Sequence, residues 1–177
     1  VSFSGVNFFK DSDLEGYEKY TGITEEFDVV GTLTLALKLK PNTKEIFIIN
    51  DYLKTGIAWR KTMQERLKDF NENIKITYSK NDTISNLQKK LNSLSEDTIV
   101  LLGVYFKDKE GTYFTYEKIG EVLSIHSKVP VFCLLEFNLN KGILGGNVIG
   151  GYYQGEAMSK IAKKILDGVP VETIPVQ

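Results

Sequence analysis

Residues 45–78 read EIFIINDYLKTGIAWRKTMQERLKDFNENIKITY, and this stretch decides the fold. Glu45 to Asn50 is a short β-branched and aromatic run, the mark of a strand buried on both faces. Trp59, Met63, Leu67 and Phe70 then recur at helical spacing, and Ile74 to Tyr78 alternates as a strand does. The same alternation continues in both directions. Ile84, Leu87, Leu91 and Leu94 form a second helical stripe, with Asp82 or Thr83 as N-cap. Thr98 to Phe106 is the longest apolar strand candidate, and Ile119, Val122 and Leu123 mark a helix ending near His126. Val129 to Glu136 reads as another strand, with Pro130 tolerated at its start. Upstream, Val29 to Lys40 reads as a helix stopped before Pro41. Downstream, Tyr153, Ala157, Ile161 and Ile165 mark a last helix, stopped by Gly168 and Pro170. Strand starts near 46, 74, 98 and 129 lie 24 to 31 residues apart, the size of a βαβ unit. The chain is therefore expected to be α/β, an open parallel sheet with helices on both faces.

Composition narrows the function. The 177 residues carry 22 Lys+Arg and 23 Asp+Glu, a net charge of −1, which provides no basic field for nucleic acid. No apolar run approaches the roughly 18 residues of a membrane span. With one cysteine, Cys133, and one histidine, His126, no intrachain disulfide and no multi-Cys/His metal site is expected. The chain opens on Val1, in an apolar segment where no signal peptide is visible, and reads as an excised or processed piece.

In open parallel sheets, ligands sit beyond the carboxyl ends of the strands. That rule selects Asn50-Asp51 and the loop to Gly56, Ser79-Lys80, Tyr105-Phe106, Glu136-Phe137, and Gly150 to Tyr153. Glu136 at a strand end suits a ligand ammonium group, or else is a solvated strand end. Tyr105 and Phe106 offer flat amphipathic contact, or pack in the core or rim. Asp51 with Thr55-Gly56 precedes a helix whose free N–H groups suit a carboxylate or phosphate; the plainer role for Thr55 is a helix cap. The glycines at 142, 145, 146, 150, 151 and 155 match neither a dinucleotide nor a P-loop spacing, and read as a crossover needing close approach and positive φ. His126, in a last helical turn, reads as a cap, and Cys133 as a small core residue. No catalytic constellation stands out, and no cofactor is expected.

Several segments resemble, in order, a periplasmic binding protein of type I, in the ABC-transporter substrate-binding-like branch also found as extracytoplasmic sensor domains. They are Phe3-Ser4-Gly5-Val6-Asn7, Tyr20 to Thr24, Leu37 to Lys44 leading into Ile46 to Asp51 and Thr55-Gly56, Gly150 to Ala157, Ile165 to Gly168, and Ile174-Pro175-Val176. The resemblance implies a Rossmann-like lobe, mainly the second of two lobes that close on a small ligand. Residues 1–28 would be a crossover strand and connection from a missing first lobe. Residues 29–150 would be the ligand-binding lobe, and 151–177 the return crossover with a helix packing toward the first lobe. In amino-acid-binding members the second lobe supplies a residue before a helix-starting glycine, an aromatic after a central strand and an acid after the next. These fall on Thr55 before Gly56, Tyr105 and Glu136, with Asp51, Phe106 and Tyr152 as further candidates. Thr55 stands where a tyrosine is often found.

The resemblance implies non-catalytic binding of an amino acid or other polar metabolite, outside the cytoplasm. The expected partner beyond the first lobe is a membrane signalling domain, if the chain is a sensor, or an ABC permease, if it serves a transporter. The sensor is the leading expectation. Two other classes remain: a small-metabolite enzyme with a doubly wound fold, and a receiver-like or interaction module.

Overall fold

The computed structural model describes residues 1–71 and 73–177. The chain divides into two compact units, one formed by Asp28–Val148 and the other by Val1–Phe27 with Ile149–Gln177.

The larger unit holds a four-stranded parallel sheet. Its strands are β3 (Glu45–Ile49), β4 (Lys75–Tyr78), β5 (Thr98–Leu102) and β6 (Val131–Cys133), in the spatial order β4-β3-β5-β6. Helices α1 (Val29–Leu39), α2 (Lys54–Arg66), α3 (Ile84–Asn92) and α4 (Tyr116–His126) precede or connect them. Register is fixed by burial: Phe47 pairs Val100 and Ile49 pairs Leu102, so alternate residues share a face. On one face Phe47, Ile49, Val100, Leu102, Val131 and Cys133 pack with Leu87 and Leu91 of α3 and Ile119 and Leu123 of α4. Ile46, Ile48, Ile99, Leu101 and Phe132 alternate to the other face, and with them Leu33 of α1 and Trp59 and Met63 of α2 are buried. Right-handed crossovers require this division, because α2 leads leftward to β4 while α3 and α4 lead rightward. Thr83, rather than Asp82, caps α3, its hydroxyl accepting from Asn86 N at 3.2 Å.

Two strands are shorter than expected. β5 ends at Leu102 rather than Phe106. The Asn50 side-chain oxygen takes the Val104 N–H at 3.1 Å, so the chain leaves the ladder there. β6 ends at Cys133 rather than Glu136. Pairing with β5 stops at Cys133, and after the buried Leu134 and Leu135 the residues Glu136–Asn138 turn into a 3-10 helix. Beyond β6, the Cys133 N–H donates to Gly145 O at 2.9 Å and the Leu144 N–H to Val131 O at 2.9 Å. A side chain at Gly146 would meet Thr32 Cγ2 at 2.7 Å and Cys133 O closer still. Close approach therefore explains Gly146, whereas a side chain at Gly151 or Gly155 would meet nothing within 4 Å.

The smaller unit pairs β1 (Ser2–Asn7) with β2 (Thr21–Glu25) in parallel, with a register shift between Ser4 and Val6. Helix α5 (Gly151–Leu166) packs on both strands through Ile161, which meets Ile23 and Ile174, with Ala157, Met158 and Ile165 around them. Tyr153, expected on this buried stripe, is 70% exposed, because the contact begins a turn later at Ala157. The C-terminus lies along β2, Thr24 N donating to Gln177 O at 2.6 Å and Gln177 N to Gly22 O at 3.0 Å.

Candidate functional site

The strand order reverses between β3 and β5, which makes the ends of these two strands the topological switch point. Polar side chains join the two loops there. Asp51 N donates to Val104 O at 2.9 Å, and the Asp51 carboxylate accepts from Leu53 N at 3.1 Å and Phe106 N at 2.7 Å. Asp51 is 2% exposed. Burial raises its pKa above the ordinary carboxylate value, against the pull of the Phe106 and Leu53 N–H groups. The carboxylate is thus a latch between loops, turned to backbone rather than to a ligand.

A second set of bonds ties in β4. Ser79 Oγ donates to Asn50 O at 2.8 Å and accepts from Asn50 N at 3.1 Å. Arg60 of α2 donates to the Ser79 carbonyl at 2.6 Å and to the Tyr52 hydroxyl at 3.1 Å. Its guanidinium lies 4.7 Å from the Tyr52 ring centre and 5.5 Å from that of Tyr78. Sequence reading did not find Arg60. It sits mid-helix, and only the crossing of α2 over β4 brings it to the strand ends.

The expected site residues divide by position. Thr55 is exposed in the first turn of α2, where backbone N–H groups lack intrahelical acceptors. It does not cap that helix: Leu53 occupies the N-cap position, without a side-chain bond. Gly56 is buried against Asp51. Of the two places open to Tyr105, the structure shows the core: it is 4% exposed and lies edge-on to Phe114, with ring centres 5.9 Å apart. Burial, then the nearby carboxylates of Asp108, Asp51 and Asp82, push its hydroxyl pKa up. The strand ended early, and the shift turned Tyr105 inward and Phe106 outward. Phe106 is half-buried and meets Tyr116 edge-on at 4.9 Å, and Tyr116 stacks on Phe137 at 5.0 Å and 26°. Phe137 is 51% exposed. Tyr116 was missed, since it starts a helix after an intervening turn and carries no local signal. Glu136 is exposed, as the first residue of the 3-10 turn after β6. Tyr152 belongs to the smaller unit, exposed on α5 and edge-on to Tyr153 at 5.6 Å. The structure thus gathers Asp51, Gly56 and Phe106 at the switch point, keeps Tyr105 in the core, and leaves Glu136 beside the aromatic row.

His126 Nδ1 lies 2.8 Å from Val122 O, a bond within its own helix end. Cys133 is fully buried, and burial pushes its thiol pKa up to about 11. Its alkylation by iodoacetamide at pH 8 is therefore expected only on unfolding, which mass spectrometry with and without denaturant checks. Among the described residues no group of three or more His, Cys, Asp or Glu is placed to hold a metal ion.

No protein-family profile matches the chain, and no curated protein matches it. Solved structures do. The ligand-free, open structure of a substrate-binding protein with adhesive properties from Clostridium difficile matches with a TM-score of 0.66 at 20% identity, over 89% of this chain and 52% of that one. A conserved domain protein from Vibrio cholerae matches at 0.60 and 17%, over 89% and 52%. An ABC domain from Streptococcus pneumoniae, in complex with L-Trp, matches at 0.60 and 18%, over 89% and 53%. The chain shares an α/β fold with these structures, with parallel strands flanked by helices. It spans about half the length of these structures.

Proposed function

We propose that this chain supplies a lobe of a two-lobed solute-binding protein, which binds a small polar solute without chemical turnover. The observation that carries this reading is the switch point itself. A rigid, internally bonded crossing of β3 and β5 presents the first turn of α2 and the row Phe106–Tyr116–Phe137 beyond the strand ends. Residues 28–148 would form most of the ligand-binding lobe, and the terminal segments would continue into the other one. Ligand would favour closure because contacts from both lobes exist only in the closed state. The Streptococcus structure holds L-Trp, which makes an amino acid the first solute to test. Such a protein would work outside the cytoplasm. We favour a sensor role, in which closure is passed to a membrane-linked signalling domain, on the resemblance of residues 3–24 to sensor-linked members. The descriptions of the matched structures favour a second reading, delivery of solute to an ABC permease.

Thermal-shift screening of amino acids, L-Trp included, tests the proposal. Binding is expected as an upshift in Tm that grows with ligand concentration. Phe137→Ala and Glu136→Ala, both exposed, are expected to weaken that binding by about 1–3 kcal/mol each, with the unliganded Tm unchanged in Glu136→Ala and slightly lowered in Phe137→Ala by the lost stacking on Tyr116. Unaltered affinity in both variants would move the site elsewhere. Turnover of a small metabolite, abolished by Glu136→Ala, would replace binding with catalysis.

A further inference from the structure

The chain passes twice between its two units, after Phe27 and after Val148. The residues at these two crossings, Asp28 and Asn147, are 119 positions apart in sequence and bonded to each other. Asn147 Nδ2 donates to Asp28 Oδ2 at 2.8 Å, while Asp28 Oδ1 accepts from Gly31 N at 2.7 Å and so caps α1. One turn further on, Thr32 holds the Asn147 backbone. Its hydroxyl accepts from Asn147 N at 2.9 Å and donates to Asn147 O at 3.5 Å. Thr32 is 0% exposed, on the face of α1 that also buries Val29, Leu33 and Ala36. A hydroxyl on such a face is costly unless it is bonded, and both of its bonds go to the second crossing. The bond from Asp28 is open to water and sets direction more than strength; the Thr32 bonds are better shielded and supply the hold. The approach is close, since a side chain at Gly146 would meet Thr32 Cγ2 at 2.7 Å. Asp28, Thr32 and Asn147 all belong to the larger unit.

We propose that Asp28, Thr32 and Asn147 form a fastener that ties both crossings to the N-terminus of α1, so that bending between the units falls outside it, before Asp28 and after Asn147. The proposal rests on the two-lobed reading above and names the residues that set its pivot. Two crossings free of each other let the units slide and twist as well as turn. Two crossings held at one point leave mainly a rotation about that point, which is hinge motion. Fewer open arrangements also leave less freedom to be lost when a solute selects the closed one.

Pulsed electron paramagnetic resonance between spin labels at Lys61→Cys in α2 and Ser159→Cys in α5, an exposed position in each unit, tests this, with the buried Cys133 left unlabelled. Three variants loosen the fastener in different ways. Thr32→Val keeps the side-chain shape and removes the hydroxyl. Asp28→Ser keeps an oxygen for Gly31 N and withdraws the one that Asn147 uses, and Asn147→Ala leaves the cap of α1 untouched. Each is expected to broaden the distance distribution about twofold, and Asp28→Ser/Asn147→Ala no more than Asn147→Ala alone, because the two residues act through one bond. Thr83→Ala, which removes the cap of α3, is expected to leave the width unchanged. Unchanged widths in the three variants, widths that add in the double variant, or equal broadening in Thr83→Ala each overturn the fastener. If the variants broaden as expected but no solute raises the Tm of the parent chain, the solute-binding reading falls and the fastener stands.

Discussion

Gly56→Ala is expected to lower the stability of the larger unit by about 3 kcal/mol, against the usual preference of helices for alanine. In an open helix the exchange gains about 1 kcal/mol. Here the new Cβ would stand 2.5 Å from the Asp51 carbonyl oxygen and closer still to its carboxylate. The obstacle is backbone and a latched side chain, neither of which can rotate away. Gly155, in α5, has nothing within 4 Å of its would-be Cβ, and Gly155→Ala is expected to stabilise. With about 2–4 °C of Tm per kcal/mol for a chain of this size, the two variants should move in opposite directions in one melting experiment. Equal shifts would mean that α2 does not press on Asp51.

The second large effect belongs to Asp51. Asp51→Ala removes the acceptor of the Leu53 and Phe106 N–H groups. Leaving buried donors unpaired costs about 1–3 kcal/mol each, so a loss of about 3 kcal/mol is expected. Asp51→Asn keeps one acceptor and removes the charge, and is expected to lose less. The acid limb separates electrostatics from packing. The folded protein holds a proton on Asp51 at a pH where the unfolded chain, near 3.8, has released it. Folding then binds more protons than unfolding, so this residue's contribution is largest at low pH and declines as pH rises from 3.8 through the raised folded value. The stability difference between the parent chain and Asp51→Asn is expected to widen on acidification through that window, in urea melts at each pH. A difference that narrows instead would mean that the N–H donors, rather than burial, set the charge state.

Both predictions concern residues that the strand-end rule had selected for ligand contact. Asp51 and Gly56 were selected by position; they lie beyond the end of β3, and each is engaged in building the platform. Tyr105 shows the limit most clearly. Whether a residue after a strand faces inward depends on where the ladder stops, and here the stop is imposed by the side chain of Asn50, 54 residues away in sequence from the Val104 N–H it binds. Arg60 and Tyr116 were missed for a related reason: each acts across elements that only the packed sheet brings together.

The alternation of short apolar runs with helical stripes determined the α/β class, the number of strands in the larger unit and their succession along the chain, and the burial of Cys133. These depend on local periodicity and on the handedness of crossovers, which every βαβ unit obeys. The tertiary structure decided where β5 and β6 end, which of Tyr105 and Phe106 faces outward, and that the Asp108 carboxylate turns to the N–H groups of Ile84, Glu110 and Thr112. Those outcomes turn on hydrogen bonds between loops distant in sequence, whose geometry exists only after the sheet has formed.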